Sequence, residues 1–319
     1  MTTYNLTWVI AHEPKYLFYR VAEDFANLVK EYAGDDLDIN VEVLTDDEYN
    51  AKHQAKVPVN RHNLWRLLQS GEVQIAQMQT TSLARQFNPE MHVLDLPYLF
   101  RDHEHAAKVL EGEIGEELLN KFDKDSGIKG LAYTYSGGYR LLPSSQRVTS
   151  LGELAGLPIR AGLSQQAQEA IEMLGGEAVP ADTEQTWELA KNGKVQAAEY
   201  VTQRIYPDRC DEWIESIVHT EHSLFLTSIV VNQDWFNSLP QAVQDVFIKA
   251  AIQAARNERA LSLKDGETNL RKLESEGVNI VYLSEEEEAE LHARAAEIRK
   301  THAKTVFSPG LVDSIENTH

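Results

Sequence analysis

Arg160 is the residue of this chain best placed to do chemistry. It follows Leu157-Pro158-Ile159 at the carboxyl end of a short strand pattern, and Ala161-Gly162 then lead into a helical one. In open α/β sheets, small molecules bind outside the carboxyl ends of the strands. A guanidinium there can hold a carboxylate through two parallel hydrogen bonds. The competing reading is a solvated or structurally paired arginine. Arg140, just after Gly137-Gly138-Tyr139, stands under the same two readings. Gln79-Thr80-Thr81 and Glu199-Tyr200 each close a strand and offer polar and aromatic groups to a small polar ligand, with helix capping as the alternative for the threonines. His12 follows the first strand and His222 precedes a strongly apolar run; each is equally a structural hydrogen-bonding histidine.

Catalytic motifs are missing from the sequence: it contains no G-x-S-x-G elbow, no P-loop, no G-x-G-x-x-G after a strand and no H-E-x-x-H. No catalytic residue and no cofactor is therefore assigned. His103-Glu104-His105 falls in the first turn of a polar helix, where consecutive side chains point apart, so it is not read as a metal site. Cys210 is the only cysteine, which rules out an internal disulfide and a thiolate metal site. Metal ligands are accordingly expected to be none.

The elements that must position these groups begin with a pattern used twice. Trp65-Arg66-Leu67-Leu68-Gln69-Ser70-Gly71-Glu72-Val73-Gln74-Ile75-Ala76-Gln77 returns as Trp187-Glu188-Leu189-Ala190-Lys191-Asn192-Gly193-Lys194-Val195-Gln196-Ala197-Ala198-Glu199. Each copy reads as a short helix, a glycine stop and a strand, with its tryptophan in the core. Two such units far apart imply two similar α/β lobes with a ligand-binding cleft between them. Leu6, Trp8 and Ile10 alternate as a strand, a helix opens at Pro14, and Leu37 to Val43 alternate again, giving a βαβ start. Further patterns predict a strand over 94–96, one helix from Asp102 to about Phe122, and strands over 130–135 and 139–142 around a Gly137-Gly138 turn. Strands follow over 157–160, 178–180, 224–231 and 279–283, with helices after Ser164 and over 285–302. From Pro240 a helical pattern runs to about Glu276, roughly 50 Å by helix rise, long enough to cross both lobes. The lobes are expected at 1–137 plus 226–265 and at 138–225 plus 266–319, with crossings near 136–139, 222–226 and 265.

With 319 residues, 42% of them hydrophobic, the chain can build two cores. Its net charge of −20 argues against nucleic acid or an anionic membrane surface as partner. No run approaches about 18 apolar residues, so no membrane insertion is expected. No signal peptide is visible at Met1-Thr2-Thr3-Tyr4, which fits either a cytosolic protein or a mature form given a new Met.

Taken together, the segments resemble the substrate-binding proteins of tripartite ATP-independent periplasmic (TRAP) transporters, the DctP-type family. The likeness extends from about Leu37 to Tyr282. It rests on Leu94 to His105, Leu110-Glu111-Gly112-Glu113-Ile114-Gly115, Gly127 to Ala132, Gly138-Tyr139-Arg140, Leu154 to Arg160, Leu174 to Pro180, Gly193 to Glu199 and Trp235 to Pro240, in that order and spacing. The resemblance implies a two-lobed periplasmic-binding-protein-like α/β fold with a central cleft, hinge strands and a long helix crossing both lobes. It implies a periplasmic, monomeric, non-enzymatic protein that closes on a small organic-acid ligand, carboxylate or sulfonate, and delivers it to membrane permease subunits driven by an ion gradient. A ligand sensor feeding a signalling receptor is the alternative role. Arg160 matches the arginine that pairs with the substrate carboxylate, and Arg140 matches a second, assisting arginine. Gln79 stands where a polar or acidic contact is common, and His222 near the site's water network. The departures are Tyr200 in place of a ligand-touching Asn, Thr183 where an aromatic is frequent, Gln74 in place of Asp and Trp187 in place of Tyr. They imply a pocket recut around a retained arginine clamp.

Overall fold

The structure, a computed structural model, describes residues 2–54 and 56–319, with the backbone alone for 122–125. Strand β1 (Thr3–Ile10) buries Leu6, Trp8 and Ile10. Helix α1 (Lys15–Ala33) covers them with Leu17, Val21 and Phe25, spaced to share one face. β2 (Asp38–Thr45) runs parallel to β1, from Thr3 opposite Asp38 to Ile10 opposite Thr45. α2 (Asp46–His53) opens on a reciprocal capping box of Thr45 and Glu48. The first repeat copy is α3 (Leu64–Ser70), Gly71 in the left-handed conformation, and β3 (Ile75–Gln79). α4 (Thr80–Phe87) follows.

The next segment departs from expectation. Residues 89–95 form a 3-10 turn rather than leading into a strand over 94–96. Prolines at 89 and 97 bracket the run, and Leu96 donates back to the Val93 carbonyl instead of to a neighbouring strand. The single helix expected from Asp102 is two, α5 (His103–Glu111) and α6 (Glu113–Ser126), interrupted at Gly112. Asp102 does cap the first, accepting the His105 N–H at 2.7 Å. β4 (Ile128–Tyr139) runs unbroken through Gly137-Gly138, so the predicted turn is absent. Gly137 has φ +119°, and a Cβ there would lie 2.7 Å from the Val201 side chain. The glycine serves a close approach within a strand, not a chain reversal.

The chain continues through β5 (Leu142–Ser144), β6 (Pro158–Ala161), α7 (Gln165–Met173) and β7 (Glu177–Pro180). The Ser164 hydroxyl caps α7 by accepting the Ala167 N–H. The second repeat copy is α8 (Thr186–Lys191), Gly193 and the two-residue β8 (Ala197–Ala198). β9 (Ser216–His219) and β10 (Leu224–Asn232), the latter buried along its whole length, precede α9 (Gln233–Asn237) and α10 (Gln241–Ser275). β11 (Asn279–Tyr282), α11 (Glu285–Thr305) and α12 (Leu311–Glu316) complete it. The repeat tryptophans are half-buried rather than central: Trp65 donates its indole N–H to the His62 carbonyl, and Trp187 lies under Arg209. An indole whose polar edge needs a partner sits at the border of a core.

The residues gather into two compact units. Unit 1 comprises Met1–Pro89, Leu110–Ser136 and Leu226–Leu261, around a sheet of order β2-β1-β3-β10-β4. β3 is parallel to β1 and antiparallel to β10. Its core joins Trp8, Phe25 and Phe247, with Trp8 and Phe25 centroids 5.2 Å apart. Unit 2 comprises Glu90–Val109, Gly137–Phe225 and Ser262–His319, around the order β11-β9-β5-β8-β6-β7. There β6 is parallel to both β7 and β8. β4, β10 and α10 each contribute residues to both units. Residues 90–109, which the sequence assigns to the first lobe, group with unit 2. The Pro97 and Arg101 region is tied there by Tyr98 N–H to the His222 carbonyl, Arg299 to the Pro97 carbonyl, and Arg101 to the Glu316 and Thr318 carbonyls.

Candidate functional site

Most of the sequence-derived residues meet in unit 2. β6 sets Arg160 opposite Val179 of β7 and Ala198 of β8, and the Glu199 N–H donates to the Arg160 carbonyl at 2.8 Å. Leu141 and Tyr200 exchange backbone bonds at 2.7 and 2.9 Å, and the Arg140 N–H donates to the Ser223 carbonyl. This backbone ladder, not any one motif, brings residues 140, 160, 199 and 222–223 together.

Glu199 is the hub. It is 2% exposed. Its Oε2 accepts the Gly162 N–H at 2.9 Å; Oε1 faces His222 Nε2 at 3.4 Å, the Ser223 hydroxyl at 3.5 Å and Arg140 Nε at 3.6 Å. Burial alone would raise this carboxyl. The Arg140 charge, the His222 hydrogen bond and charge, and then Arg160 overcome burial and hold it down at about 2, against an ordinary 4.5. His222 Nδ1 lies 2.8 Å from the Thr220 hydroxyl.

Arg160 is buried, which lowers its pKa, while nearby Glu199 and Tyr200 counter that. Its Nε and Nη2 both donate to the Ala181 carbonyl, at 2.9 and 2.6 Å, Nη1 donates to the Glu199 carbonyl at 3.1 Å, and Nη2 also to Thr183 Oγ1 at 3.1 Å. Among the described residues, Thr183 supplies the one side-chain acceptor on this guanidinium, the others being main-chain carbonyls. Arg140 donates to the Leu224 carbonyl at 2.8 Å and the Ser223 hydroxyl at 3.2 Å, with its guanidinium 4.7 Å from the Phe225 ring centre. Arg140 thus faces the Glu199 carboxylate and Arg160 acts on it through its charge, so two guanidiniums stand against one carboxylate.

Tyr200 has a different setting. Its ring belongs to a core cluster with Leu141, Ile205 and Cys210, and its hydroxyl donates to Asp208. Arg204, 1% exposed, donates from Nε to the same Asp208 oxygen at 2.7 Å and lies 3.7 Å from Glu184. The i,i+4 spacing of Arg204 and Asp208 was the signal that could have pointed to this network. Ser223, Thr220 and the Gly162 N–H were also missed, and no sequence pattern marks them.

A second set of polar groups lies in unit 1. Gln79 ends β3 opposite Thr227, with its Oε1 accepting the Ser82 hydroxyl at 3.4 Å. Thr80 Oγ1 lies 2.9 Å from Ser228 Oγ, and its hydroxyl does not cap α4, whose N-cap is Gln79. His12 is buried and stacked on Phe18 at 5.3 Å. Gln74 accepts the Thr7 N–H and donates to the Gly71 carbonyl, pinning the first repeat turn to β1.

Among the described residues, no group of three His, Cys, Asp or Glu could hold a metal, and no helix is long and apolar enough to cross a membrane. His105 accepts the Arg101 N–H and faces the Ile315 carbonyl, while His103 packs on Tyr139.

The family model for bacterial extracellular solute-binding proteins, family 7 (DctP), matches residues 10–305. An uncharacterized protein of Haemophilus influenzae is 31% identical over 193 residues, 60% of this chain and 58% of its own. The 2,3-diketo-L-gulonate-binding periplasmic protein YiaO of Escherichia coli is 26% identical over 61% of this chain and 59% of its own. The chain thus spans under two thirds of the length of these curated relatives. A TRAP periplasmic solute-binding protein of Haemophilus influenzae, solved with bound L-gulonate, superposes with a TM-score of 0.81 at 18% identity, covering 100% of both chains, a likeness of fold. The chain belongs to the bacterial extracellular solute-binding proteins of family 7, the DctP family of TRAP transporters.

Proposed function

We propose that this chain captures a monoanionic, hydroxyl-rich organic acid at Arg140 and Arg160, which Glu199 orients and balances, and delivers it in the periplasm to the permease subunits of a TRAP transporter. The observation that carries the reading is the charge count: two buried or half-buried guanidiniums against one buried carboxylate leave room for one negative charge. A dicarboxylate would bring a second charge beside Glu199, at a cost set by a low local dielectric. Around the arginines stand Thr183, Thr220, Ser223 and His222, groups suited to hydroxyls rather than to a second carboxylate. The ligands printed for two of the similar proteins, 2,3-diketo-L-gulonate and L-gulonate, are acids of this kind.

In this reading Thr183 yields its place on Arg160 Nη2, so that Nη1 and Nη2 form the fork that holds the carboxylate. Glu199 keeps Arg140 and His222 oriented and is not itself a ligand contact. Gln79 and Thr80 of unit 1 contact the same ligand in a closed arrangement, which the ligand favours by binding it better. The ligand is released unchanged.

Calorimetric titration of the purified chain with L-gulonate, D-glucuronate, D-galactonate and succinate tests this. At least one sugar acid is expected to bind tenfold or more tighter than succinate. Arg160→Lys is expected to weaken it by about a hundredfold, the loss of one charge-assisted bidentate pair, with the unfolding temperature retained. Binding that survives Arg160→Lys, or a preference for succinate, would sink the reading.

A further inference from the structure

Unit 1 contains a cavity of about 330 Å³ that is separate from every group described above. Five consecutive residues of β4, Lys129 to Tyr133, form one wall, and β4 is the edge strand of its sheet. Leu119 of α6 and Ile248 and Ile252 of α10 form the others. Its shape depends on two close approaches. A Cβ on Gly130 would lie 2.3 Å from Leu119, and one on Gly115 would lie 2.3 Å from the Leu110 carbonyl. A larger residue at 115 would collide with the main chain, and one at 130 would force the Leu119 side chain to move.

One end of this apolar cavity is charged. Arg256 donates from Nε and Nη2 to Glu111 at 3.0 and 2.6 Å. Arg259, 8% exposed, donates to Glu111 from Nη2 and to the Tyr133 carbonyl from Nη1 at 2.7 Å. Burial would raise the Glu111 carboxyl, but the two arginines pull it below the usual range, so it stays ionised. One carboxylate thus faces two guanidiniums, and Lys129 and Glu116, also in the lining, cancel each other. The surplus is one positive charge in a lining whose other side is apolar. A volume at the lower end of the roughly 300–1,000 Å³ of small-molecule sites suits a short chain.

We propose that this cavity is a second ligand site, for a small amphipathic monocarboxylate. Its carboxylate shares Arg256 and Arg259 with Glu111, and its hydrocarbon part packs on Leu119, Leu131 and Ile252. The inference stands apart from the reading of the Arg160 site, because no residue is shared between the two and Leu119, Leu131, Ile248 and Ile252 give this lining an apolar side that suits a hydrocarbon chain.

Octanoate titrated into the full chain, followed by calorimetry, is the test, with octanol as the uncharged control. The wild type is expected to saturate, with octanol roughly tenfold or more weaker because it lacks the charge-assisted bonds. Ile252→Trp, which fills the cavity, should abolish binding. Arg256→Glu, at a side chain 53% exposed and with folding checked by its unfolding temperature, should weaken it at least about tenfold. Arg160→Lys should leave it unchanged. The proposal is overturned by a wild type that shows no saturable binding, by octanol binding as tightly, or by Arg256→Glu binding like the wild type. Loss of octanoate in Arg160→Lys alone would move the event to the other site and equally overturn it.

Discussion

At the scale of single residues, Glu199 decides how the site behaves with pH and charge. Its folded pKa, about 2, lies below the ordinary 4.5. A depressed carboxyl contributes stability that is fully present above the unfolded value and is lost as pH falls from about 4.5 toward 2. Urea unfolding between pH 7 and 3 should therefore show wild-type stability falling through that window, with a contribution on the order of 2 kcal/mol from this one group. Glu199→Gln should flatten that part of the curve, and at pH 7 it should cost about 3 kcal/mol, because Arg140 and Arg160 lose their counter-charge in a buried place. The same substitution raises the surplus charge, so succinate should gain at least about tenfold relative to a sugar acid. An unchanged ratio would remove Glu199 from any role in charge selection. The place of Arg160 at the carboxyl end of a strand was legible in the sequence, as β6 shows. The hub was not, since Glu199 draws its partners from segments 140, 160–162 and 220–223, which only the folded backbone brings together.

Elements show a similar division. Amphipathic helices and alternating strands were legible because their period is written in the apolar positions, as in α1, β2 and α10. The failures came where a run is too short to have a period or where glycine has two meanings. The segment 94–96 has only three residues before Pro97, and Gly137-Gly138 read as a turn although it lies inside β4. Gly137→Ala puts a Cβ among Val201 and Gln203 at a positive φ, so it should destabilise the protein by about 2–4 kcal/mol in urea unfolding. A cost below 1 kcal/mol would mean that the strand shifts freely there. The turn after β8 yields a sharper test of an element against a ligand role. Tyr200, aligned with a ligand-touching residue of the family, gives its hydroxyl to Asp208, which also holds the buried Arg204. Tyr200→Phe should therefore cost about 1.5–3 kcal/mol of stability, as for a hydrogen bond to a charged group, while ligand affinity changes less than threefold. A large affinity loss without destabilisation would put the phenol back in the pocket.

For the whole molecule, the repeat of helix, glycine and strand was enough to foresee two α/β units, because each copy needs its own sheet to bury against. The grouping of residues 90–109 was not foreseen, since it depends on side-chain bonds from Arg101 and Arg299 to distant main chain. In the proposed function, one ligand bonds Gln79 and Thr80 of unit 1 as well as the groups around Arg160 of unit 2. A ligand that bonds both sets binds one arrangement of the units better than all others, and this difference is the only lever it has on their equilibrium. Moving that equilibrium from about 1:99 to 99:1 takes about 5.5 kcal/mol of differential affinity, the worth of a few charge-assisted and neutral hydrogen bonds. Small-angle scattering should therefore show a smaller radius of gyration at saturating sugar acid than without it. Gln79→Ala should keep part of the affinity, through the arginines, and lose part of the compaction. If the radius is the same with and without a ligand that calorimetry shows to be bound, the ligand is held by unit 2 alone and the closing mechanism is wrong. If Gln79→Ala compacts as fully as the wild type, then the unit 1 groups are not what the ligand pulls on.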